Sequence, residues 1–131
     1  MIVSMHVATG AAVGAVAGSR LRALVLGLAA HALADAIPHE DIESQRFETV
    51  SGIVLLSLLA AARGPFDPAV IGAVAASAPD LEHVLPFPQP GGRKLFPSHR
   101  VEGWHREDGI TAGAQLVAAG AIVAMLVLRP R

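Results

Sequence analysis

The chain has 131 residues, enough for one domain and too few for two. Hydrophobic residues make up 53% and charged residues 16%, against about 25% charge in an average soluble domain, so the composition leans away from water. A net charge of −1 leaves no basic excess for nucleic acid, and the absence of cysteine excludes disulfides and thiolate metal sites.

In chain order, the apolar segments and their stops predict five helices. The first is roughly Ile2–Ser19, rich in Gly and Ala; it carries no Lys or Arg, so it lacks the basic region of a cleaved signal. Gly10, Gly14 and Gly18 recur every fourth residue, a small-residue series that lets helix backbones approach closely and predicts contact with another helix. The second helix is Leu21–Ile37, stopped by Pro38. The third is Phe47–Ala62, stopped by Arg63, Gly64 and Pro65. The fourth is Pro68–Ala78, with Pro79 at its end. A long polar loop over residues 84–108 holds Pro86, Pro88, Pro90, Gly91, Gly92 and Pro97. The fifth helix, Ile110–Leu128, carries no charge and ends at Arg129 and Pro130.

The helices are apolar around their whole circumference, with no charged stripe to face water. The expected architecture is therefore all-α: a single domain over residues 1–131, a compact bundle of about five apolar helices embedded in a membrane. Only Ile110–Leu128 approaches the roughly 20 apolar residues that cross a bilayer core. Five spans place Arg20, Arg22, Arg63, Arg129 and Arg131 together in short loops, with Asp67 the one acid among them. The opposite side has as many basic residues, Arg46, Arg93, Lys94, Arg100 and Arg106, spread through longer, acid-rich segments. Positive-inside reasoning gives weight to short loops, so the Arg20 side is expected in the cytoplasm of a multi-pass protein.

That tracing puts all six histidines on the other, non-cytoplasmic side. His6 lies one turn into the first helix. His31 and Asp35 are spaced i, i+4 on one face of the second, with His39 and Asp41 just beyond. Asp80 and His83 follow the fourth helix at i, i+3, and His99 and His105 sit in the long loop. Imidazole nitrogens and carboxylate oxygens are ligands for zinc and other divalent first-row metals. Ionisable groups inside apolar helices are costly to bury and point to a functional site. Each residue alone has a plainer reading: a hydrogen-bonded His–Asp pair for His31 and Asp35, an interfacial histidine for His6, solvated loop residues for His99 and His105. Their gathering on one side favours metal.

His31, Asp35, Pro38, His39 and Asp41 spell HxxxDxxPHxD, and Pro79, Asp80, Glu82 and His83 follow as PDxEH, with His99 and Arg100 later. This order resembles the LexA-regulated, membrane-bound metal-dependent hydrolases, a family related to zinc-dependent phospholipase C. That family shows an early His, HxxxDxxPHxD, PDxDH and an HRGxxHS-like element, and the likeness runs over almost the whole chain. It implies metal-ligand roles for His31, Asp35, Asp80 and His83, with His6 and His39 beside them, and extends to His99 and His105. Two positions depart from the pattern. Glu82 keeps a carboxylate where the family has Asp. Arg100 is followed by Val101, and His105 comes one residue late.

The expected function is a metal-dependent hydrolase with one to three divalent ions, Zn2+ first among them. Such ions polarise a phosphoryl or acyl oxygen and lower the pKa of bound water. Asp80 or Glu82 is the candidate base, and Arg100 is the candidate partner for an anionic substrate. The resemblance implies a phospholipid or other phosphodiester at the membrane surface, with membrane lipid and an anionic small molecule or lipid as partners. Two other readings compete. A metal transporter would hold its ligands at the bilayer midplane rather than near one interface. A non-catalytic metal-binding or structural membrane protein would use the same His–Asp pairs only to bind an ion or join helices.

Overall fold

The structure is a computed structural model that describes residues 1–104, 106 and 108–129. Five long helices form: α1 (Val3–Val16), α2 (Arg20–Asp35), α3 (Gln45–Arg63), α4 (Pro68–Ser77) and, after the one-turn α5 (Leu81–Val84), α6 (Ala112–Leu128). Among the described residues there is no strand, only an isolated parallel bridge between His39 and Ile110. The helix starts follow side-chain caps. Ser19, Ser44, Asp67 and Thr111 accept from Arg22, Phe47, Ala69 and Ala114 backbone N–H groups respectively, and Pro68 stands in the first turn of α4, where its missing N–H costs nothing. These caps set four helix starts within two residues of the expected ones, whereas α1, which lacks a side-chain cap, ends at Val16 rather than the expected Ser19. The last helix is shorter than expected, 17 residues from Ala112, because Thr111 caps it.

α4 is the centre of the bundle. Its small residues let three backbones meet: a Cβ on Gly10 would strike Gly72 O, one on Gly14 would strike Pro68 O, and one on Gly27 would lie 2.5 Å from Gly72 O. The pairings 10 with 72 and 14 with 68 make α1 antiparallel to α4. Gly27 with Gly72, and His31 with Ala76, make α2 parallel to it. Gly18 does not join this contact. It has φ +72° and open space around it, so it serves as the turn that ends α1 rather than as a third step of the packing face. Val7, Ala11, Leu59, Val70, Ala73 and Val123 form the heart of the apolar core among α1, α3, α4 and α6.

Alternating helix directions leave residues 36–44, 85–104 and 108–111 at the same end as the start of α1. Arg20 and Arg63 mark the other end, where Arg20 Nε donates to Phe66 O and Arg63 Nη1 to Leu126 O. The long loop closes over the first end as a strap. Glu40 N donates to Ile110 O (2.9 Å) and Ile110 N to Pro38 O (3.0 Å). Buried Gln115 Nε2 donates to Glu40 O (2.7 Å) while its Oε1 accepts from Ile2 N (3.1 Å). Trp104 Nε1 donates to Ala32 O of α2 (2.9 Å).

Among the described residues one helix, α3, is long and apolar enough to cross a membrane, with 19 residues and a mean hydropathy of 1.2. The outer faces nonetheless carry many exposed large apolar side chains, including Leu21, Val25 and Leu33 on α2, Ile53 and Leu58 on α3, and Val117 and Leu128 on α6.

Candidate metal centre

α1, α2 and the turn after α4 bring their ionisable residues to one point. The backbone contacts at Gly10, Gly14 and Gly27 fix the three elements against each other, so His6, His31 with Asp35, and Asp80 arrive at the same level. His6 and His31 have no exposed surface, and Asp35 is 1% exposed. The two rings stack with centroids 4.1 Å apart. The strap adds His99 and Ser98 from a 3-10 turn, Pro97–His99.

Distances set the chemistry. Asp35 Oδ1 lies 3.1 Å from His6 Nε2, and Asp35 Oδ2 lies 3.0 Å from His31 Nε2 and 3.5 Å from His99 Nε2. Asp80 Oδ1 is 3.8 Å from His99 Nε2, and its Oδ2 is 4.0 Å from His6 Nε2. Ligands 2.0–2.1 Å from a tetrahedral zinc stand about 3.3 Å from one another, a separation that the contacts of Asp35 match and those of Asp80 exceed. Two overlapping sets, His6–His31–Asp35 and His31–Asp80–His99, have candidate ligand atoms within 4.8 Å of one another and could hold an ion.

Proton bookkeeping on the rings points the same way. His31 Nδ1 donates to the carbonyl of Ala76 (2.7 Å), which can only accept, and His99 Nδ1 donates to Glu82 Oε1 (2.5 Å). In the neutral rings both Nε2 atoms therefore carry lone pairs, and they face each other at 3.2 Å. Such a contact repels unless a cation lies between: a proton, which makes one ring imidazolium, or a metal ion. Among the described residues neither nitrogen of His6 nor Asp80 Oδ2, all buried, has a hydrogen-bond partner; the 3.1 Å approach of His6 Nε2 to Asp35 is close but not aligned as a hydrogen bond. Buried polar atoms left so are rare and costly, and an ion would satisfy them. The residues fit a divalent ion.

Beyond the ends of the long helices the titrating groups respond to this crowding. Burial pushes the Asp80 carboxyl up to about 7, helped by the nearby charge of Asp35. Burial opposes charge on His99, but its contacts with Asp35 and Glu82 prevail and raise it above the usual histidine range. Burial also disfavours the Glu82 carboxylate, yet hydrogen bonds from His99, Leu95 and Phe96 hold it below its ordinary value. His83 falls to about 4 through burial and the charges of His99 and Lys94.

Of the residues singled out by sequence, His6, His31, Asp35, Asp80 and His99 converge. His83 stands one ring further out, its centroid 4.4 Å from His99, with Lys94 Nζ 2.7 Å from its Nδ1. His39 is fully buried beside the cluster, its Nδ1 donating to Ile37 O (2.6 Å) and its Nε2 3.2 Å from Asp41. Glu82 accepts from Leu95 N (2.7 Å), Phe96 N and His99, so it orients the His99 ring and ties the strap to α5. Arg100 is exposed and does not line the cleft. His105 lies outside the described residues. Sequence reasoning missed Ser98, whose Oγ donates to Asp35 Oδ2 (2.7 Å); its place immediately before His99 was the one available signal.

Asp35, Asp80 and His99 form part of the lining of a cleft of about 610 Å³, between the start of α3 and the strap. No family model, curated protein or solved structure matches this chain. Residues and geometry therefore carry the functional reading.

Proposed function

We propose that the chain is a membrane-bound, metal-dependent hydrolase acting on a phosphodiester of phospholipid type. The observation that carries this reading is the facing pair of Nε2 lone pairs on His31 and His99, ringed by His6, Asp35 and Asp80 at ligand spacing and open to a cleft. A divalent ion held there, zinc by ligand type, supplies Lewis acidity toward a phosphoryl oxygen. The chain's own groups do the rest. His31 and His99 are locked in the ligating tautomer by Ala76 O and Glu82. Ser98 orients Asp35 by donating to its Oδ2. Asp80, with Oδ2 unpartnered, lines the cleft as ligand or proton acceptor. The resemblance to membrane-bound hydrolases supports the same chemistry, and the exposed apolar faces of α2, α3 and α6 support a lipid surround.

The test is release of phosphorylated head group from mixed phospholipid vesicles, with and without chelator, by the parent and by His31→Ala. Chelator-sensitive release that disappears in His31→Ala is expected. Equal release by both proteins under matched metal would refute the hydrolase reading.

A further inference from the structure

Six carboxylates line the cleft: Asp35, Asp41, Glu43, Glu48, Asp80 and Glu102. The Met1 ammonium, also in the lining, lies 3.2 Å from Asp35 Oδ1 and 3.5 Å from Asp41 Oδ1 and offsets charge on that pair. Glu48 accepts from Val3 N (2.7 Å) and Ile42 N (3.3 Å), but its charge still acts on whatever enters. Among the described residues the lining holds one Lys or Arg side chain, Lys94. Arg93, Arg100 and Arg106 sit in the same strap, are exposed and lie outside that lining. Lys94 is half-buried, and its ammonium reaches 2.7 Å from His83 Nδ1. An ammonium only donates, so His83 is the acceptor. The His83 ring in turn packs edge-on against His99 (centroids 4.4 Å). Lys94 therefore stands two rings from the meeting point of His31 and His99, on the wall of the cleft that leads to it.

We propose that Lys94, positioned by His83, is the cation that seats a singly charged phosphate ester beside the metal centre, and that the surrounding carboxylates turn away multiply charged phosphates. This rests on the metal-dependent reading above and deepens it by assigning the ligand's charge. One ammonium matches one negative charge, and an ion at the centre neutralises what its own carboxylate ligands bring. The Met1 ammonium is already held by Asp35 and Asp41, so a second negative charge on the ligand meets Glu43, Glu48 and Glu102, and among the described residues the lining holds no further cation to answer it. In a partly enclosed cleft that repulsion is poorly screened. The spare arginines of the strap, Arg93 and Arg100, remain in solvent, where a charge contributes little to binding.

The experiment loads the full chain with Mn2+ and measures 31P relaxation of diethyl phosphate, a monoanion, and phenyl phosphate, a dianion at pH 8. Metal uptake is measured in the same samples. The parent is expected to take up Mn2+ and to bind diethyl phosphate more tightly than phenyl phosphate. Lys94→Met is expected to keep the metal and lose roughly tenfold in diethyl phosphate affinity, the scale of one charge-assisted contact. Lys94→Arg is expected to restore binding, and Arg100→Met to leave it unchanged. Metal uptake with equal diethyl phosphate affinity in Lys94→Met and the parent would overturn the role of Lys94 alone. Tighter binding of phenyl phosphate would overturn the charge selection. A parent that takes up no metal overturns this inference together with the reading beneath it.

Discussion

Asp35→Asn is the sharpest perturbation of the centre, because one carboxylate touches His6, His31, His99 and Ser98 at once. With zinc at 1,000 times its dissociation constant, the ion adds about 4 kcal/mol to the parent's stability. For a chain of this length that raises the melting temperature by roughly 10–20 °C. Removing an orienting partner around a metal ligand already lowers affinity by about 10–100-fold, so loss of a carboxylate shared by three imidazoles lowers it by about 100-fold or more. At the same zinc concentration the remaining stabilisation is about 1.4 kcal/mol, roughly a third of the parent's. The assay is thermal unfolding in detergent followed by helical signal, with zinc and with chelator, beside elemental analysis of the purified proteins. Glu43→Ala is the control, since Glu43 lines the cleft but is exposed and away from the ligand cluster; it is expected to keep the full zinc-dependent shift. The reasoning is refuted if Asp35→Asn shows the parent's shift and zinc content. It is refuted equally by a parent that zinc does not stabilise, which would leave a proton as the cation between His31 and His99.

Gly72→Ala is expected to destabilise by about 1–3 kcal/mol, because its Cβ would strike Gly10 O and lie 3.0 Å from Gly14 Cα. Gly120→Ala, with open space at its Cβ, is expected to stabilise by up to about 1 kcal/mol through helix propensity; denaturant melts compare the two. Zinc affinity is expected to fall with acid. His99 is raised and Asp80 stands at about 7, so both take up protons that must leave before an ion binds. The affinity is therefore full in mild alkali and drops below neutrality by up to about tenfold per pH unit for each proton. Chelator competition at pH 8 and pH 6 measures it, and equal affinities would remove both residues from the ligand set. For sidedness, an impermeant thiol reagent is expected to label Gln89→Cys on intact cells and Arg22→Cys only after lysis; the reverse pattern inverts the proposed orientation.

The helices were legible because their signals are local. Pro38, Pro79 and the Gly64–Pro65 pair mark the stops, and the apolar runs between them have no other use; the caps at Ser19, Ser44, Asp67 and Thr111 emerged only with the fold. The i, i+4 spacing of His31 and Asp35 likewise survives into the structure as a 3.0 Å contact. What could not be read is carried by distant partners. Gln115 looks like a stray polar residue in an apolar helix until Ile2 N and Glu40 O are placed beside it. Glu82 reads as a base from its motif position, and only the folded strap shows its oxygens already taken by Leu95, Phe96 and His99. Gly18 continues the spacing of Gly10 and Gly14 in the sequence, but the chain has already turned by then. The apolar faces suggested spans throughout, with Ile110–Leu128 the clearest, whereas among the described residues helix length and composition single out α3 and leave Ala112–Leu128 short.

The bond from Trp104 to Ala32 O has an optical consequence. The chain has one tryptophan and no tyrosine, so nearly all its near-ultraviolet emission comes from a single indole. That indole is tethered to α2 at the residue after His31 and belongs to the same strap that carries His99. An ion held between His31 and His99 acts on both elements that this tether joins. The protein thus has a built-in emitter at its candidate centre, and titrating it with metal requires no attached dye.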